Sequence, residues 1–422
     1  MQQLIVKNKL AIGGGAPTRS SSFAPWPYFS EDEITAAADV LRSGRINYWT
    51  GTEGRMFERE FAVSVASPHA IAVANGTAAL EIALRVLGIG PGDEVIVPSR
   101  TFIASASCVV MNGAKPVFAD VDIISQNLTL ETIRRVVTPN TRAIIPVHLA
   151  GWPCDMQPIV DFARARGIKV IEDCAQAQGA TYHGRPVGSL ADMAAFSFCQ
   201  DKIVSTGGEG GMIVTSDAVL WEQAWSFKDH GKNYHLCHDW RPSAGYRWIH
   251  ESFGTNLRMT EMQSAIGRVL LRKLDQHLEV RRRHAAILTE AFTQLSALRV
   301  TPPPATVQHA YYKYYAFLRL EQLHEGWTRD RVIEAIRAEG IPCLSGSCSE
   351  VYLEKAFSDE LRPSGRYEVA RELGDTSLMF LVHPTLSGND MSDTARAVEK
   401  VLEAATSIPY SEIALTGSRS TW

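Results

Sequence analysis

The sequence predicts an α/β fold: a mostly parallel central sheet with helices on both faces, followed by a smaller C-terminal α+β domain. Three observations carry this. First, short apolar runs recur at 70–74, 94–98, 116–119, 143–148, 168–172, 193–198 and 211–215. Second, most are separated by helix-length segments such as 78–87, 130–137 and 158–166, and such crossovers make neighbouring strands parallel. Third, the character changes after Thr260, where Met262, Ala265, Ile266, Val269, Leu270 and Leu274 follow a long helical period. At 422 residues the chain is long enough for two or three domains.

Residues 1–29 read as an N-terminal arm. They hold Gly13-Gly14-Gly15, Ser20-Ser21-Ser22, Pro17, Pro25 and Pro27, and no helical period. Ser30-Glu31-Asp32-Glu33 then reads as a capping box opening a helix that stops at Gly44. Residues 30–260 form the large domain and residues 261–422 the small one. Within the latter, Arg281-Arg282-Arg283 is expected to be a solvated helix face, and Pro302-Pro303-Pro304 a break. A strand is expected at 311–320 and amphipathic helices at 328–338 and 391–405. The runs at 193–198 and 211–215 flank a glycine-rich loop, so antiparallel pairing is open there.

Composition excludes several classes of function. The formal net charge is −4, which argues against a polyanion-binding protein, so no nucleic acid partner is expected. No run of about 18 apolar residues exists, so no transmembrane helix is expected. Lys7 and Lys9 interrupt what would be the apolar stretch of a secretory signal. Seven cysteines without a C-x-x-C fit free thiols in a reducing cytoplasm, and no metal site is expected.

Ligands of an open α/β sheet bind outside the carboxyl ends of its strands, so the residues that follow each strand matter most. After the first comes Asn75-Gly76-Thr77-Ala78, either an ordinary capped turn or a helix N-terminus that takes a phosphate. After the second comes Phe102, a core residue or a plate for an aromatic ligand. After the fifth comes Asp173, which is costly at a buried strand tip unless it caps a turn or meets a cation. After the sixth come Ser197 and Lys202, the latter a surface charge or a desolvated nucleophile. By contrast, Gly88-Ile89-Gly90-Pro91-Gly92 follows a helix and precedes a strand, the reverse of a dinucleotide loop, and reads as a turn. A phosphate cup, a plate, an acid and an amine on one sheet edge together suit a planar phosphorylated pyridine aldehyde.

These segments resemble the DegT/DnrJ/EryC1/StrS family of sugar aminotransferases, of fold-type I (aspartate aminotransferase-like) architecture. The matching stretches run from Leu41-Arg42-Ser43-Gly44 through 75–80, 91–95, 98–104, 171–177, 184–188, 195–211 and 254–260 to His383-Pro384. The resemblance implies pyridoxal 5′-phosphate as cofactor, with pyridoxamine 5′-phosphate between the two half-reactions. It implies Lys202 as Schiff-base lysine and Asp173 as partner of the pyridine nitrogen. Gln176 would meet the ring hydroxyl, Phe102 would stack on the ring, and Gly76, Thr77, Ala78 and Ser197 would hold the phosphate. Asn256 would reach the cofactor of a neighbouring subunit, which makes the protein a homodimer with shared sites. Arg258 and His383 are implied as substrate contacts.

Two departures from the family's common pattern, Cys199 for His and the presence of Gln200, bear on the substrate side. Lys202 itself argues against the dehydratase branch, which has His there, and against a non-catalytic relative. The implied reaction moves an amino group from glutamate or glutamine to a keto group of a nucleotide-linked deoxysugar, in surface-glycan, lipopolysaccharide or natural-product biosynthesis. An aminocyclitol ketone is the alternative acceptor.

Overall fold

A computed structural model describes residues 9–238 and 248–406. Residues 239–247 and the two termini lie outside it. The opening helix α1 (Glu31–Ser43) begins as expected: the Glu33 carboxylate accepts the Ser30 amide at 2.8 Å. Glu33 is buried and pairs with Lys273 at 2.8 Å, which fixes α1 to the long helix described below. Next come α2 (Glu53–Ser64), β1 (His69–Val73), α3 (Gly76–Val86), β2 (Glu94–Pro98), α4 (Ala104–Met111) and β3 (Lys115–Ala119). They are followed by α5 (Leu130–Arg134), β4 (Thr141–Ile144), α6 (Met156–Arg164) and β5 (Lys169–Asp173). Two short strands, β6 (Thr181–Tyr182) and β7 (Arg185–Pro186), precede β8 (Met193–Ser197), β9 (Gly211–Thr215), α7 (Ala218–Lys228) and α8 (Tyr234–His238).

The seven-stranded sheet has the order β1-β9-β8-β5-β4-β2-β3. Only β9 runs against its neighbours, so the strands flanking the glycine-rich loop do pair antiparallel. The remaining neighbours are parallel, because helical crossovers join them. Both faces are covered. Ile71, Val95 and Ile171 pack against α3, α4 and Trp225 on one side. Ala72, Ala194 and Val214 pack against Phe57, Phe61 and Leu270 on the other, and a third cluster around Ile144, Ile159 and Phe162 lies under α6. The expected strand at 143–148 ends at Ile144, after which the chain enters a turn in which Ala150 has φ 58°. The 88–92 segment is a turn, with Gly88 and Gly92 at positive φ and the Gly90 amide on Asp93.

Helix α9 (Glu261–Thr293) then runs from one core to another. Leu270, Leu274 and Leu278 join the sheet cluster, whereas Ala285, Leu288 and Phe292 join a second core. That core covers a four-stranded antiparallel sheet of order β10-β12-β14-β13. The elements here are β10 (Leu298–Arg299), β11 (Val307–Gln308), β12 (Tyr314–Leu318), α10 (Arg329–Ala338), β13 (Cys343–Leu344), α11 (Glu368–Thr376), β14 (Ser377–Phe380) and α12 (Gly388–Thr406).

One expectation fails inside α9. The Arg281-Arg282-Arg283 run is not a solvated face. Arg281 is 1% exposed and donates to the carbonyls of Tyr311 and Tyr312 at 3.3 Å. Arg282 is half-buried and donates to the His309 carbonyl, and only Arg283 is exposed. The 309–312 turn, with Tyr311 at φ 48°, leaves carbonyls unpaired by any strand, and the arginines satisfy them.

The arm is tied down as well. Glu339 is buried and accepts from the amides of Ala11 and Thr18 and from Lys400. Arg19 pairs with Asp390 and Asp393.

Candidate active site

The carboxyl ends of β1, β2, β5 and β8 open into one cleft of about 1120 Å³. It is lined by Gly76, Thr77, Ala78, Phe102, Asp173, Gln176, Ser197 and Lys202, eight of the eleven residues singled out from sequence. The parallel strand pairing is what brings them together, since they come from the connections that follow four different strands.

Helix α3 opens at Gly76. The Asn75 side chain accepts the Ala78 amide at 2.8 Å, and the Asn75 carbonyl takes that of Ala79. The Gly76 and Thr77 amides therefore remain outside the helical ladder, at the positive end of the dipole. Gly76 is required by proximity: a Cβ there would stand 2.7 Å from the Ser197 Cβ. We predict that Gly76→Ala pushes Ser197 aside and weakens cofactor retention at least about tenfold, the scale of one lost charge-assisted hydrogen bond. Equilibrium titration of the apo-protein with pyridoxal phosphate measures this.

Asp173 sits at the tip of β5, 5% exposed. Its Oδ2 accepts from Ser105 Oγ at 2.8 Å and its Oδ1 from the Ala175 amide at 3.1 Å. Burial pushes its pKa up, and these two bonds with the charge of Lys202 offset only part of that. A cation against this carboxylate would remove the penalty. Gln176 is also buried, and its Oε1 accepts the Ala150 amide at 2.8 Å, which fixes the side chain under the cleft. Phe102 is 66% exposed, so it is a wall of the cleft and not a core residue.

Lys202 follows β8 on a loop stapled to the glycine-rich segment: Phe198 and Thr206 bond Gly210 and Phe198, and Gly207 and Gly208 take positive φ. Its ammonium, 17% exposed, lies 3.9 Å from Asp201 and 4.9 Å from the Tyr312 ring centroid. The Tyr312 hydroxyl donates to Asp201, and Lys313 approaches Asp201 at 3.7 Å. Burial opposes ionisation of Asp201, but Lys202, Tyr312 and Lys313 outweigh it and hold its pKa below the usual value. From the arm, Trp26 Nε1 donates to the Lys202 carbonyl at 3.0 Å.

Two sequence-derived residues lie elsewhere, and one stands at the margin. Arg258 pairs with buried Asp229 at 2.6 Å, and neither it nor exposed Asn256 lines this cleft. Asn256 bridges Asp229 through its backbone. His383 is buried in an adjoining cleft, where burial, then Arg281 and Lys313, push its pKa down to about 3. Sequence reasoning missed Ser105, Asp201, Tyr312, Lys313 and Trp26, whose positions depend on contacts across the chain.

The buried His148, Glu172 and Cys174 lie within 4.8 Å of one another, as metal ligands can. Their bonds are already committed. His148 Nδ1 accepts the Cys154 amide and Nε2 meets Glu172, while Glu172 also takes the Gly188 and Leu190 amides. Burial raises the Cys174 thiol well above its usual pKa, against thiolate ligation.

An amine in a cleft, a buried carboxylate awaiting a cation, an open aromatic wall and a helix N-terminus fit pyridoxal phosphate. Fold and site define the class: a pyridoxal-phosphate-dependent aminotransferase. Residues 27–399 match the DegT/DnrJ/EryC1/StrS aminotransferase family, and the chain belongs to it. It is 43% identical over 364 residues to the GDP-perosamine synthase of Caulobacter vibrioides, covering 84% of this chain and 92% of that one. It is 37% identical over 382 residues to the UDP-N-acetyl-3-dehydro-alpha-D-glucosamine 3-aminotransferase of Acidithiobacillus ferrooxidans, covering 90% and 95%. Among solved structures, an aminotransferase from Psychrobacter cryohalolentis superimposes with a TM-score of 0.90 at 50% identity, over 91% of this chain and all of that one.

Proposed function

We propose that the chain transfers the amino group of glutamate or glutamine to a keto group of a nucleotide-linked deoxysugar, in the making of an amino sugar for lipopolysaccharide or another surface glycan. The observation that carries this is the convergence of Lys202, Asp173, Gln176, Ser197, Phe102 and the α3 N-terminus on one cleft. The relatives named above support the sugar-nucleotide class, because two of them act on GDP- and UDP-linked sugars by their names. Others are L-glutamine:2-deoxy-scyllo-inosose aminotransferases, which keeps a cyclitol ketone as the second reading.

Pyridoxal phosphate, when bound, supplies an electron sink that stabilises a carbanion at the donor α-carbon. The chain supplies the rest. Lys202 Nζ anchors the coenzyme and, once displaced, moves the proton that leaves the donor α-carbon. Asp173 would hold a proton on the pyridine nitrogen, Gln176 would meet the ring hydroxyl and Phe102 would cover the ring. The Gly76, Thr77 and Ala78 segment and Ser197 hold the phosphate. Arg258 and His383 are assigned to substrate contact from the family pattern alone, and for Arg258 that needs the Asp229 pair to open.

The functional assembly in this reading is a cytoplasmic homodimer, with Asn256 completing the neighbouring site. Exposed apolar residues support it: Trp248 is 89% and Phe253 98% exposed, close in sequence to Asn256. Such groups mark interaction surfaces. Light scattering is expected to give twice the chain mass, and Phe253→Asp is expected to yield monomer with transamination lost. Monomeric, fully active wild-type protein contradicts the shared site.

Substrate class is tested by incubating the holoenzyme and glutamate with UDP-, dTDP- and GDP-linked 3-keto and 4-keto sugars, scoring amination by mass. Amination of at least one nucleotide sugar is expected. Amination of an inosose alone selects the cyclitol reading.

A further inference from the structure

A second cleft, of about 680 Å³, opens beside the first. Arm residues 22–26 wall one side, and residues 341–344 with Leu381 wall the other. Asp201, Lys313 and Leu344 line both clefts, so the two are continuous at Lys313.

The charge in this second cleft is unbalanced. Its lining cations are Lys313 and Arg337, and its lining carboxylate is Asp201. Asp201 is already shared, since Tyr312 donates to it and Lys202 stands 3.9 Å away. That leaves Lys313 with one long ion pair, at 3.7 Å, and a position 4.7 Å from the Tyr312 ring centroid. The Arg337 Nε is committed to the Cys343 carbonyl at 2.7 Å, but its charge is not paired by any ion pair described. His383 adds no negative charge.

Behind the cleft stands Arg281, its Cζ 5.1 Å from the Trp26 ring centroid. Its Nε and Nη2 are buried with no hydrogen-bond partner. A buried guanidinium so placed adds a positive field, and the carboxylate that acts on it, Asp201, is the one already shared with Tyr312, Lys202 and Lys313. Phe23, Pro25, Ile341, Pro342 and Leu381 meanwhile give the cleft apolar walls. Positive charge between apolar walls suits an anionic group carried on an organic body.

We propose that this second cleft is an anion subsite of the reaction cleft, in which Lys313, with Arg337 at the rim, holds the anionic end of a substrate whose reacting carbon lies at Lys202. The proposal rests on the functional reading above. The shared chemistry has two sources, the diphosphate of the sugar nucleotide and the carboxylate of the amino donor. Arg281 acts through Trp26 and the Tyr311–Tyr312 turn, as a positioning residue.

The test is calorimetric titration of the holoenzyme with GDP, UDP and glutarate, none of which can transaminate, so binding is read without turnover. Wild type is compared with Lys313→Met, Lys313→Arg and Arg337→Gln, each checked for its coenzyme absorption. At least one probe is expected to bind wild type, about tenfold or more weakly to Lys313→Met, and nearly normally to Lys313→Arg. Weakening for GDP and UDP alone assigns the diphosphate, and weakening for glutarate alone assigns the carboxylate. Equal binding by wild type and Lys313→Met overturns the proposal, as does a coenzyme-loaded wild type that binds no probe. A protein without coenzyme absorption that still binds these anions through Lys313 contradicts the functional reading and leaves the subsite standing.

Discussion

Lys202→Ala is expected to lower kcat for transamination by about 10⁴-fold or more, because it removes both the covalent anchor and the general base. General base catalysis alone is worth about 10²–10⁴, and the loss of the anchor adds to it. Folding should survive, since the ammonium makes one ion pair, at 3.9 Å, and its partner Asp201 keeps Tyr312 and Lys313. Addition of a small primary amine should restore part of the rate, because it replaces the lost base in the same cleft. A Lys202→Ala enzyme with wild-type turnover removes the residue from the chemistry. So does full activity combined with loss in Lys313→Met, the other amine of the cleft.

Asp173→Asn is expected to cut kcat by roughly 10²–10⁴, since an amide no longer holds the pyridine nitrogen protonated. Its effect on stability should run the other way in the apo-protein. Burial raises the Asp173 pKa, so the folded state binds this proton more tightly than the unfolded one. The charged form therefore destabilises the apo-fold fully above the folded pKa, and the penalty fades as pH falls through that pKa and is gone below the unfolded value of about 3.9. Asparagine avoids it: Oδ1 can keep the Ala175 amide while Nδ2 donates to Ser105 Oγ. Apo Asp173→Asn should melt about 1–3 °C above apo wild type at pH 8, and the gap should close on acidification. With coenzyme bound the order should reverse, because the cation then compensates the carboxylate. Scanning calorimetry of both forms at two pH values checks all four signs.

The sheet was legible because strand runs and helix-length crossovers alternate, and parallel strands place the residues after each on one edge. That rule gathered Gly76, Phe102, Asp173 and Ser197 from connections scattered over more than 120 residues. Local rules failed where contacts come from afar. Read as a charge run, 281–283 looks solvated. Read as a helical period, Arg281 falls on the face of Leu274, Leu278, Ala285 and Leu288, and that face is buried. Tyr312 and Lys313 had no motif, because their roles come from a turn that Arg281 and Arg282 hold against the sheet. Trp26 belongs to an arm without periodicity, yet reaches the Lys202 carbonyl. Phe102 stayed open between core and cleft because a Phe at a helix start suits either, and only exposure separates the two.

The central claim is that the amine at position 202 binds the coenzyme covalently. Purified protein, reconstituted with pyridoxal phosphate, is reduced with borohydride, digested and mapped by mass spectrometry. The account predicts one stable pyridoxyl adduct, on Lys202. An adduct on Lys313 instead, or colourless protein with no adduct on either lysine, contradicts it.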